Sequence, residues 1–233
     1  MSATPKAEEF GNGVGGGAAS RVATSTRRPV LVRVVARLER DSRLDGPAGR
    51  LRAVAARLVG EGPRRELLRG RHVGHALHPF LTDLPLGAWS SALVLDIAGG
   101  TGSRPAARRL VGLGILTAFP AVATGLAETG ALGPRASRVA TVHAVGNAAG
   151  VALFTSSYLA RRRGRDTRGV VLSVLGGAAM TLSGFLGGHL AIARKAGGRD
   201  YAFAGADTPL APPPRNRAVT GDARAEDGLS TSS

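Results

Sequence analysis

Apolar positions are scattered and without period in residues 1–29, a stretch rich in Gly, Ala, Ser and Thr. Such a segment buries too little to offset its chain entropy, and disorder is predicted for it. From 30 to 71 the pattern becomes helical. Val30, Leu31, Val34, Val35 and Leu38 share one face, with Arg33, Arg37 and Arg40 off it. Leu51, Val54, Ala55, Leu58 and Val59 repeat the arrangement, with Arg50, Arg52 and Arg57 elsewhere. Asp45-Gly46-Pro47 separates the two. The pattern predicts short basic amphipathic helices lying on a membrane surface.

Four long apolar stretches follow, at about 79–98, 110–128, 139–160 and 169–192, and none contains Lys or Arg. A hydrocarbon core of about 30 Å needs roughly 20 helical residues, so each is long enough to cross it. Arginines bound them: Arg104, Arg108 and Arg109, then Arg135 and Arg138, then the run from Arg161 to Arg168. The expected fold is all-α, a polytopic four-transmembrane-helix bundle over 72–198 with disordered tails. Residues 199–233, with Pro212-Pro213-Pro214, form the second tail. Nine basic residues flank the spans on the side of the termini and eight on the other, so the positive-inside rule does not choose. An N-terminal segment with no apolar leader favours an inner-membrane protein with cytoplasmic termini.

Small residues at i, i+4 are expected to let the spans pack closely: Gly146 with Gly150, Gly184 with Gly188, Gly87 with Ser91. Pro85 and Pro120 each free the carbonyl four residues earlier and are expected to kink their helices.

Charge and composition change this picture in two places. The chain carries 31 Lys and Arg against 16 Asp and Glu, a formal charge of +15. No base-stacking cluster accompanies it, so anionic lipid headgroups are the expected partner and nucleic acid is not. The chain has no cysteine. That excludes disulfides, thiol catalysis, Cys-ligated zinc, c-type haem and iron–sulfur clusters. No nucleophile–base pair, phosphate loop or HExxH motif occurs, and no catalytic residue is assigned.

The five histidines, His72, His75, His78, His143 and His189, lie in or beside the spans, with Asp83, Asp96 and Glu128. Ionisable groups at membrane depth are costly and usually face an interior. Chain order brings His78, Asp83, Glu128, His143 and His189 to one level near the end that carries both termini. With His75 they are the candidate ligands of a transition metal, and His78, His143 and His189 those of a b-type haem. Thr124 and Asn147 would orient the ligands. Pro79 is expected in the first helical turn with His78 as its cap. Asp96 lies at the opposite end, where Arg104 to Arg109 are its expected partners. The competing expectations for the cluster are a purely structural polar network and a proton or quinone pathway.

The stretch "LLRGRHVGHALHPFLTDLPLGAWSSALVLDIAGG" resembles a bacterial membrane family catalogued as domain-of-unknown-function family 2231. Gly74-His75 with His78-Pro79, Thr82-Asp83-Leu84-Pro85, His143 with Asn147, and Gly187-Gly188-His189-Leu190 carry the likeness, over about 66–198. The resemblance implies a four-helix integral membrane domain. Some relatives continue into a Rieske iron–sulfur domain, which implies membrane electron transfer. This chain has no cysteine to hold such a cluster, so a redox partner would be a separate protein. Two functions are therefore expected to compete: a membrane redox protein with metal or haem at the histidines, and a non-enzymatic scaffold for a partner protein. A homo-oligomer is a further expectation.

Overall fold

The computed structural model describes residues 29–196. The disorder expected at 1–29 and 199–233 falls outside them, apart from Pro29. Seven α-helices make up the described chain: α1 (Val30–Arg40), α2 (Asp45–Val59), α3 (Pro63–Leu68), α4 (Leu77–Ala98), α5 (Arg104–Glu128), α6 (Pro134–Arg162) and α7 (Asp166–Gly188). A π-helical turn, His189–Ala193, continues α7.

The helices α4 to α7 are each long and apolar enough to cross a membrane. They extend past the apolar stretches because arginine is a good helix former. Thus α5 takes in Arg104, Arg108 and Arg109, and α6 begins at Pro134. Two local expectations shift. Leu77 opens α4 with Ala76 as its cap, leaving Pro79 in the first turn, where its missing N–H costs nothing. Likewise Asp45-Gly46-Pro47 opens α2 rather than dividing the helices, and the break lies at Asp41–Leu44.

The bundle consists of two antiparallel hairpins, α4–α5 and α6–α7, side by side. One register relates them. His78 meets His143, Trp89 stacks on Phe154, and Asp96 pairs with Arg161. In all three the positions differ by 65, which is what two parallel helices in constant register require. The return helices repeat at an interval of 62. The carbonyls of Ala121 and Ser183 each accept a hydrogen bond from one of the two histidines. Gly125 and Gly187 lie under the same two rings, and Gly114 and Gly176 under Trp89 and Phe154. The hairpins are thus structural repeats about a pseudo-two-fold axis along the bundle, and the three cross-hairpin pairs lie on it.

The core around this axis is built from Trp89, Ala92, Val111, Ala118, Phe154 and Met180. Trp89 and Phe154 stack with centroids 4.2 Å apart, and the indole N–H donates to the Val111 carbonyl at 3.2 Å. Gly146 and Gly150 pack on Ser183 and Met180, as small residues in a span are expected to. Gly184 and Gly188 do not: a Cβ on either would meet nothing within 4 Å.

The N-terminal helices sit on the end of the bundle that carries Glu128 and His189. They touch it along a narrower strip than the amphipathic pattern suggests. Val35, Ala48, Ala55 and Val59 are buried, while Val30, Leu31, Val34, Val54 and Leu58 stay exposed. Acidic residues of this basic segment make the attachment. Glu39 accepts hydrogen bonds from His189 (2.8 Å) and from Arg194, and Asp45 accepts two from Arg138 at 2.7 and 2.8 Å.

Candidate functional site

His78 lies in the first turn of α4 and faces α5 and α6. Its Nδ1–H donates to the Ala121 carbonyl at 2.8 Å. A carbonyl can only accept, so Nδ1 carries the proton. His143 makes the equivalent bond to the Ser183 carbonyl at 2.8 Å, and Ser183 Oγ returns one to the His143 carbonyl at 2.7 Å. With Nδ1 protonated, His143 Nε2 is the acceptor, and Asn147 Nδ2 donates to it at 3.0 Å. The two rings meet edge to face, centroids 6.4 Å apart. Thr124, expected beside the ligands, turns its hydroxyl to the carbonyls of Pro120 and Ala121 on its own helix.

The remaining candidates are elsewhere. His189 donates to Glu39 and belongs to the N-terminal attachment. Glu128 lies 3.6 Å from Arg69 on the neighbouring connection. Asp83 and His75 are exposed, Asp83 on the outer side of α4. Chain order placed these groups near one end of the bundle; it did not say which way each helix turns them. Among the described residues, no three His, Asp or Glu side chains lie close enough to hold a metal.

The hydrogen bonds at His143 leave it no open ring nitrogen. Both nitrogens of His143 are engaged, one as donor and one as acceptor. Asn147, expected to stand behind a metal ligand, occupies the nitrogen that would bind the metal. A bis-histidine haem needs two ligating nitrogens aimed at one another across a plate. Here the rings touch, and their Nδ1–H groups point to opposite helices. Such an arrangement holds helices together: His78 ties α4 to α5, His143 ties α6 to α7, and ring contact ties the two hairpins.

The opposite end carries a second polar cluster that the sequence pointed to only in part. Asp96 pairs not with Arg104 or Arg109 but with Arg161, through bonds of 2.8 and 2.6 Å. Arg161 is 2% exposed. Its Nε donates to Ser157 Oγ at 3.2 Å and its Nη2 to Ser173 Oγ at 3.3 Å. Ser157 in turn donates to the Gly169 carbonyl at 2.6 Å. Only a glycine at 169 leaves room for the Arg161 stem. Ser157 and Ser173, easily read as packing residues, complete this network. No local spacing pointed to Arg161; the register of α4 and α6 brings it to Asp96. Arg104 is held instead by Asp166, 3.4 Å away at the start of α7.

At the attachment, the Glu39 carboxyl is held below the ordinary carboxylate range. Arg194's hydrogen bonds are the largest cause; burial pushes the other way, and the bond from His189 adds to the lowering. Arg138 likewise holds the Asp45 carboxyl down.

A protein-family model described as "Predicted membrane protein (DUF2231)" matches residues 74–199. No curated protein and no solved structure matches the chain.

Proposed function

The chain belongs to the DUF2231 family of predicted membrane proteins, and from that premise we propose that it is a non-enzymatic membrane scaffold that presents a rigid bundle to a partner protein. One observation carries this reading. On the bundle axis the polar groups chiefly hold helices: His78 bonds the Ala121 carbonyl, His143 bonds Ser183 and Asn147, and Asp96 bonds Arg161. An active or ligand site keeps donors or acceptors open for what it binds. These clusters instead fix helix positions and leave the outer surfaces to do the binding. The exposed arginines of α1 and α2, with Val30, Leu31 and Leu58 beside them, suit contact with anionic headgroups at the membrane surface. An inner-membrane setting with cytoplasmic termini is part of the same proposal.

The test is the purified full chain after mild detergent extraction. No haem absorbance and no metal above about 0.1 per chain are expected, a threshold set well below the one per site that a bound metal requires. His78→Gln and His143→Gln should lower the unfolding midpoint and leave the spectrum flat. A stoichiometric metal, or a haem band lost on replacing His143, would overturn the scaffold and restore a redox role.

A further inference from the structure

The outward face of α4 carries a carboxylate at mid-depth. The buried side of this helix is Pro85, Ala88, Trp89 and Ala92. At 100° per residue Asp83 points the opposite way. Phe80, Gly87, Ser90 and Val94 share its strip, and all are exposed. Asp83 makes no hydrogen bond or ion pair among the described residues.

Its depth follows from the registers already given. The offset of 65 puts Asp83 level with Ala148 of α6, ten residues past Arg138 and thirteen before Arg161. That is about 15 and 20 Å along a helix. The contacts of His78 with Ala121 and of Trp89 with Val111 put it level with Thr117 of α5, eight residues past Arg109 and eleven before Glu128. Both registers place Asp83 between the charged ends of the neighbouring spans, on a surface that no other part of the described chain covers. An intramembrane carboxylate facing lipid is unfavourable, and such groups are found paired. The other spans differ. At comparable depth their outer sides show residues such as Phe119, Val145 and Leu182, as lipid contact requires.

We infer that the α4 strip around Asp83 docks a transmembrane helix of another protein that carries a lysine or arginine at mid-depth. The inference rests on the scaffold reading and names its partner's chemistry. Charge complementarity selects the occupant. A second copy of this chain has no cation to offer there, because no Lys, Arg or His lies in 79–103, 110–142, except Arg135 and Arg138 at the loop, 144–160 or 169–188. Two copies meeting on this strip would set Asp83 against Asp83. Small residues favour close approach: a Cβ on Gly87 would meet nothing within 4 Å, and Ser90 lies one turn on.

The experiment uses the full chain, fluorescently labelled and reconstituted in phosphatidylcholine vesicles. The probe is a synthetic Leu/Ala transmembrane peptide with one central lysine; its match has leucine at that position. Energy transfer should report association with the lysine peptide about tenfold stronger than with the leucine peptide, the size of a strong interhelical polar contact. Asp83→Leu, which removes no internal contact, should bring the lysine peptide down to the leucine level. Equal association of the two peptides, or association that survives Asp83→Leu, would overturn the inference. So would self-association of two labelled copies that is lost in Asp83→Leu, since that assigns the strip to a second copy. A bound metal or haem would sink the scaffold reading without changing these outcomes, so the two failures are distinguishable.

Discussion

Arg161 carries its charge into the bundle because three neighbours receive it: Asp96 through two bonds, Ser157 and Ser173 through one each. Removing one partner of such a pair leaves an uncompensated buried charge. Arg161→Met should therefore cost about 3–5 kcal/mol. Arg161→Met together with Asp96→Leu should recover most of that loss, because a well-packed apolar pair of similar size replaces a buried ion pair at little cost. Thermal unfolding of the detergent-solubilised variants measures both. This pair also marks the limit of what single residues disclose. Asn147 beside His143 is an i, i+4 relation, legible from spacing alone. Asp96 and Arg161 are linked only through the register of two parallel helices, which local spacing does not contain. The same is true of Asp83: chain order sets it near the end that carries both termini, and neither its outward direction nor its distance from that end was legible.

Among the elements, glycine positions decide how near the hairpin arms come. At Gly176 a Cβ would lie 3.0 Å from the Phe154 ring, whereas at Gly184 it would meet nothing within 4 Å. Gly176→Ala should destabilise by about 1–3 kcal/mol through overpacking. Gly184→Ala should be neutral or slightly stabilising, since alanine is the better helix former. Detergent unfolding midpoints of the two variants compare them directly. Spacing treated the Gly184–Gly188 pair as equivalent to Gly146–Gly150, and the structure separates them. A GxxxG pattern marks a smooth strip on a helix; which strip meets a neighbour depends on helix rotation. Span number, by contrast, is written in composition and was legible. The helix ends were not, because arginines belonging to the helix interrupt the apolar pattern before the helix stops.

For the whole molecule, the attachment of α1 and α2 to the bundle depends on acidic side chains held charged. Glu39's carboxyl titrates below its ordinary value near 4.5, chiefly because Arg194 bonds its charged form. A depressed folded value means that the stabilisation is fully present above the unfolded value. It is lost as pH falls through the folded one. Amide protection factors in α1, corrected for intrinsic exchange, should hold from neutral pH down to about 5 and fall below about 4. In Glu39→Gln the α1 protection should start lower and lose that step. An unchanged profile in Glu39→Gln would assign the acid response to Asp45 and Arg138.

The constant register of α4 and α6 has a consequence for assembly and inheritance. Where the two hairpins meet on their shared axis, they carry like residues at two levels, His78 with His143 and Trp89 with Phe154. At the third they carry opposite charges. Two first hairpins placed together would bury aspartate against aspartate, and two second hairpins arginine against arginine. Only the unlike combination is neutral. The two hairpins are a heterotypic pair in which neither half can stand in for the other. A charge change at 96 is then tolerated only with its complement at 161, so these two positions should be inherited as one.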